Sequence, residues 1–98
     1  MLPLALQTAP QIATAAAARA RALRLARTWT QQELADRAGM SLRSLQRFER
    51  TGQIAFLSLV RVAIALDAVD ALGELFTEEP ASLEDVLERP RRQRGRRS

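Results

Sequence analysis

The sequence predicts an all-α fold of five short helices followed by a disordered Arg-rich C-terminal tail. Two observations carry this. Ala (18 residues) and Leu (15) dominate a chain of 98, alongside Arg and Glu, and these are the strongest helix formers. Only four Gly, four Pro and four aromatics are present, and no alternating Val/Ile/Thr-rich run reads as a strand.

Each helix has its own start and stop signals. Met1 to Gln7 is apolar but lacks a basic n-region and a proper h-region, so it reads as a loose leader rather than a signal peptide. Thr8-Ala9-Pro10-Gln11 has the form of a capping box with Pro in the first turn. A first helix follows to about Arg27, with Ile12, Ala16, Ala20 and Leu23 at helical spacing. Thr30 with Glu33 three residues on caps a second helix, carrying Leu34, Ala35 and Ala38. Gly39 stops it. Ser41 caps a third, Leu42 to Arg50, with Leu45 and Phe48 inward. A fourth spans about Phe56 to Leu66, with Leu57, Val60, Ala63 and Ile64 inward. A fifth, about Ala68 to Phe76, carries Leu72, Leu75 and Phe76. Ser82 to Asp85 opens one more short helical turn, closed by Pro90. The expected organisation is a flexible leader over 1–8, one domain over 9–77, a short acidic helical extension over 78–90 and a disordered basic tail over 91–98.

Composition removes whole classes of function. There is no Cys and no His, so zinc fingers, thiol nucleophiles and imidazole acid–base catalysis are excluded. No Gly-rich phosphate loop or pocketed carboxylate cluster suggests an enzyme, and no metal site or cofactor is expected. The lack of Cys fits a reducing cytoplasm. No 18-residue apolar run spans a membrane.

The charge is segregated. All 15 basic residues are Arg, against 11 acids, for a net +4. Residues 1–61 carry nine Arg and three acids, +6. Residues 62–88 carry eight acids and no base, −8. Residues 89–98 carry six Arg, +6. Such a pattern suggests a polyanionic partner for the basic zones and turns the acidic block away from it.

Thr30 to Arg50 is the informative unit: two short helices joined by a tight turn at Gly39, a helix-turn-helix pattern. The outward face of the second helix is Leu42, Arg43, Ser44, Gln46, Arg47 and Arg50. Such a helix fits the DNA major groove, where Arg can grip guanine and Gln adenine. Arg43 and Arg47 lie four apart on one face. Ser41 and Ser44 can bond phosphates. An Arg-rich outer face is equally compatible with a plain solvated surface on a helical bundle.

The stretch Trp29-Thr-Gln-Gln-Glu-Leu-Ala-Asp-Arg-Ala-Gly-Met-Ser41, continued by Ser44-Leu45, Phe48-Glu49, Leu57, Val60 and Ala63, resembles the Cro/phage-repressor (Xre) helix-turn-helix family. The likeness covers about residues 19–67 and implies a lambda-repressor-like domain. It implies that Gln31 bonds the DNA backbone, that Leu42, Arg43, Gln46 and Arg47 face bases, and that Ser41 and Ser44 meet phosphates. It further implies an ion pair between Arg24 and Glu49. One departure is visible: where the family usually has Gly two residues after that Glu, this chain has Thr51, then Gly52. Trp29 reads as core packing rather than a base-stacking residue.

Outside this unit, Leu66, Val69, Leu72, Leu75 and Phe76 supply a dimer interface or close the monomer core. The tail from Arg89 is a DNA-contacting arm, a segment that orders on an acidic protein partner, or a solubilising end. A compact reader with an acidic segment and an Arg-rich tail looks like the antitoxins of HipA-kinase-type toxin–antitoxin modules. That resemblance implies a homodimeric repressor on a palindromic operator that also holds one or two kinase-toxin subunits. The alternatives are a stand-alone Xre-type regulator, or an interaction module that has lost DNA binding.

Overall fold

The computed structural model describes residues 2–78. The acidic extension from residue 79 onward and the basic tail lie outside the described residues. Within them the chain is all helical, with no strand. Four α-helices follow in order: α1 (Ala9–Ala26), α2 (Gln31–Ala38), α3 (Leu42–Thr51) and α4 (Phe56–Ala65). Single 3₁₀ segments precede and follow them, at Leu4–Leu6 and Val69–Glu74.

The boundaries follow from local chemistry. Thr8 accepts the Gln11 amide at 3.2 Å, while its own N–H donates to Gln11 Oε1 at 2.8 Å. Thr30 and Glu33 form the same reciprocal box at 3.0 and 2.7 Å. The Ser41 hydroxyl accepts the Ser44 amide at 3.0 Å. Each box satisfies donors that a helix start leaves orphaned. Gly39 closes α2 at φ +66. α1 stops at Ala26, one residue short of the expected end, because Thr28 at φ +59 turns the chain. α3 runs one residue past Arg50 to Thr51, and Gly52 takes the left-handed position at φ +82. This resolves the departure noted at Thr51: the turn is shifted by one residue.

The core is Ala17, Leu34, Ala35, Ala38, Leu45, Phe48, Val62 and Leu66, all buried. α1 packs on α3, and α2 packs on both α3 and α4. Burial of each large side chain here is worth about 1.5–3 kcal/mol.

Two expected faces need correction. On α1, Ile12 and Leu23 are more than a third exposed, and the buried side runs through Ala17 and Arg24, with Ala13 and Ala20 half-buried. The reason is close approach: a Cβ on Gly52 would sit 2.7 Å from the Ala13 carbonyl carbon, so α1 must present small residues to the end of α3. On α4, Val62 and Leu66 are buried with Leu59 and Ala65 packed beside them. Leu57 and Ile64 are exposed instead, while Val60 and Ala63 are half-buried. This helix is apolar on nearly every side, so its tertiary packing, chiefly on α2, selects the inner face. The fifth helix is a 3₁₀ segment, not a full α-helix. Asp67 at φ +58 turns the chain, the Ala68 amide bonds the Ala63 carbonyl at 2.8 Å, and Gly73 weakens any longer helix. Leu72 is half-buried, Leu75 is exposed and Phe76 is fully exposed.

Candidate nucleic-acid interface

α3 owes its orientation to one buried face and one charged one. Leu45 and Phe48 anchor it in the core, and the i, i+3 spacing of those anchors leaves Arg43, Ser44, Gln46, Arg47 and Arg50 exposed. Leu42 is half-buried. Ser41 sits at the N-cap, where its hydroxyl donates to the Ser44 hydroxyl at 2.9 Å. Both serines therefore have internal partners.

Arg24 crosses from α1 to the end of α3. Its Nε and Nη2 donate to the two carboxylate oxygens of Glu49 at 2.8 and 3.0 Å, and Nη1 donates to the Trp29 carbonyl at 2.8 Å. The two side chains are 7 and 4 % exposed. Gln31, the first residue of α2, donates Nε2 to Glu49 Oε1 at 2.9 Å, and its Oε1 faces Gln46 Nε2 at 3.5 Å. Burial pushes the Glu49 carboxyl up. Hydrogen bonds from Arg24 and Gln31 and the charges of Arg24 and Arg21 outweigh it, holding the group below its ordinary value. The bidentate geometry is the strong form of such a pair.

Gln31, Arg43, Gln46, Arg47 and Glu49 come together on one open cleft. Two further residues line it: Arg21 from α1, which the sequence reading does not single out, and Arg50 from α3, which it places on the outward face but gives no contact. The signal for Arg21 was its position three residues before Arg24, which puts both on one helix face. Ser41 and Leu42 do not line this cleft. Ser44 lines a second, smaller one with Arg47, Gln53 and Ser58, between α3 and the start of α4.

The electrostatics of the main cleft follow from pairing. Its one lining carboxylate, Glu49, is matched by Arg24 from below. Arg21, Arg43, Arg47 and Arg50 make no salt bridge among the described residues and leave the cleft positive. Such a wall raises the local concentration of anions. Trp29 lies apart from it, packed on the core, with Arg37 and Arg27 at 4.2 and 5.6 Å from its ring centre.

A short exposed helix of Arg and Gln, set behind a tight turn and flanked by unpaired arginines, can enter a major groove and hold its phosphates. No helix among the described residues is long and apolar enough to cross a membrane. No curated protein matches the chain. A helix-turn-helix family model matches residues 21–71, more than half its length, from the cleft arginine Arg21 through α2, α3 and α4. The chain belongs to the helix-turn-helix family of the Cro and phage-repressor type, whose members are DNA-binding transcription regulators.

Proposed function

We propose that this regulator is a sequence-specific repressor that binds a palindromic operator as a homodimer in the cytoplasm. We propose further that it is the antitoxin of a HipA-kinase-type module, repressing its own operon and holding the toxin. The observation that carries the DNA-reading part is the unpaired charge of the cleft: Arg21, Arg43, Arg47 and Arg50 stand around an α3 whose one acid is already bonded to Arg24 and Gln31. In this reading Arg43, Gln46 and Arg47 meet base edges. Gln31, Ser41 and Ser44 meet the backbone, and Leu42 supplies an apolar contact.

Dimerisation is supported by apolar side chains outside the elements that line the cleft. Ile64, Leu75 and Phe76 are exposed beside half-buried Val69 and Leu72. The same segment carries Asp67, Asp70, Glu74 and Glu78 and no base, so it is repelled by DNA, which leaves its apolar side chains on a side turned away from the operator. A two-fold dimer presents two α3 helices to half-sites about one helical turn apart. The antitoxin reading rests on the small size of the reader, the acidic segment and the Arg-rich end.

The test is co-purification with the product of the adjacent gene, followed by a mobility shift on the shared upstream DNA. A kinase-like neighbour that co-purifies and sharpens the shift supports the antitoxin role. Operator binding without such a neighbour leaves a stand-alone regulator. Co-purification without any shift leaves an interaction module.

A further inference from the structure

We infer that Thr51 and Gln53 are positioning residues for Arg47, fixing its guanidinium at the edge of the cleft before DNA arrives. The inference rests on the DNA-reading role of α3 proposed above. Three hydrogen bonds close a ring at the end of α3. The Thr51 hydroxyl donates to the Arg47 carbonyl at 2.7 Å. The same oxygen accepts the Gln53 amide at 3.1 Å. Gln53 Oε1 in turn accepts Nη2 of Arg47 at 2.5 Å. Gly52, at φ +82, provides the reversal that brings residue 53 back over the last turn of the helix.

Thr51 is the residue that departs from the expected Gly, and its hydroxyl starts the ring. A glycine there would leave the Arg47 carbonyl and the Gln53 amide without this shared partner. The acceptor on Arg47 is a neutral amide, so the positive charge is kept. One N–H is committed, and four of the five guanidinium donors remain for a ligand. Arg47 borders both clefts, the one under α3 and the one between α3 and α4. Arg43, by contrast, has no hydrogen bond to its side chain among the described residues, so no such bond holds it in advance. An arginine already held in place forfeits less rotamer freedom on binding, an advantage of about two- to tenfold in affinity.

The experiment is a double-mutant cycle on a duplex carrying the upstream DNA, with side-chain NMR of the free protein. Gln53→Ala should weaken binding about fivefold in the natural background and less than twofold in an Arg47→Ala background. Thr51→Val should behave like Gln53→Ala, and Thr51→Ser, which keeps the hydroxyl, should bind like the natural chain. The Arg47 Nε–Hε signal should be ordered in the free natural protein and motionally averaged in Gln53→Ala. Equal losses in both backgrounds would mean that Gln53 acts on the fold and not through Arg47, which overturns the inference. So would an Arg47 side chain equally mobile with and without Gln53, whether or not DNA binds. A natural chain that binds no DNA overturns the repressor reading instead, and the NMR comparison still decides the geometry.

Discussion

Removing Glu49 tests how α1 holds α3. The Glu49 side chain is 4 % exposed and accepts three hydrogen bonds, two from Arg24 and one from Gln31. In Glu49→Ala the Arg24 side chain stays buried with only the Trp29 carbonyl as partner. Breaking a buried pair on one side costs about 3–5 kcal/mol. For a domain of this size each 1 kcal/mol lowers Tm by about 4–8 °C, so even the lower bound means a fall of about 12–24 °C. Circular dichroism during heating and in urea measures it. The double variant Arg24→Met/Glu49→Leu, which buries no charge, should recover most of the loss. The pH dependence has a defined sign. The Glu49 carboxyl is held below its usual 4.5 in the folded protein. Its contribution is therefore present above that value and disappears as pH falls through the lower, folded one. The stability gap between the natural chain and Glu49→Gln should close over that acid window. A loss under about 1 kcal/mol in Glu49→Ala, or a double variant no better than the single one, refutes the reasoning.

Three further outcomes follow from the structure. Gly52→Ala should destabilise by more than about 1 kcal/mol, since it combines a left-handed backbone with a Cβ 2.7 Å from the α1 backbone; urea unfolding reads it, and Gly39→Ala, which meets no atom within 4 Å, should cost less. Phe76→Glu should leave monomer stability within about 0.5 kcal/mol, because the ring is fully exposed, yet shift sedimentation toward the monomer. Arg43→Ala should cost about 1–3 kcal/mol on the cognate operator and relax its specificity in a competition shift; an equal loss on random DNA would place Arg43 on a phosphate.

What the sequence makes legible here is what short-range chemistry decides. The caps at Thr8, Thr30 and Ser41 and the stop at Gly39 each depend on residues within four positions, and all four are in place. The stripe of α3 reads correctly because Leu45 and Phe48 stand out against polar neighbours. α4 lacks that contrast: Phe-Leu-Ser-Leu-Val-Arg-Val-Ala-Ile-Ala is apolar nearly all round, and periodicity selects no face. α1 misleads in a second way. Its inner side is alanine closed by a buried arginine, because Ala13 must admit Gly52 and Arg24 must reach a carboxylate 25 residues away. Both are long-range demands. Arg21 and Gln53 escaped for different reasons: Arg21 joins the cleft across a helix interface, and Gln53 reaches Arg47, six residues back, through a turn whose register depends on Gly52.

The net charge of +4 understates what the arginines can do, and the structure sorts them. Of the nine Arg in residues 1–61, Arg24 is spent on Glu49, Arg27 and Arg37 lie over Trp29, and Arg19 and Arg61 do not line the main cleft. Arg21, Arg43, Arg47 and Arg50 are left at the cleft. If these four are the DNA-contacting charges, the logarithm of affinity should fall against the logarithm of salt with a slope of at most about 3.6 per protomer. The tail arginines supply the contrast. A chain ending at Arg89 should keep this slope if the tail does not touch DNA. A full-length slope well above it, falling on truncation, would assign the tail to phosphates. A slope near zero in both proteins would mean that the cleft charge meets no nucleic acid at all, and would return α3 to the role of a solvated surface.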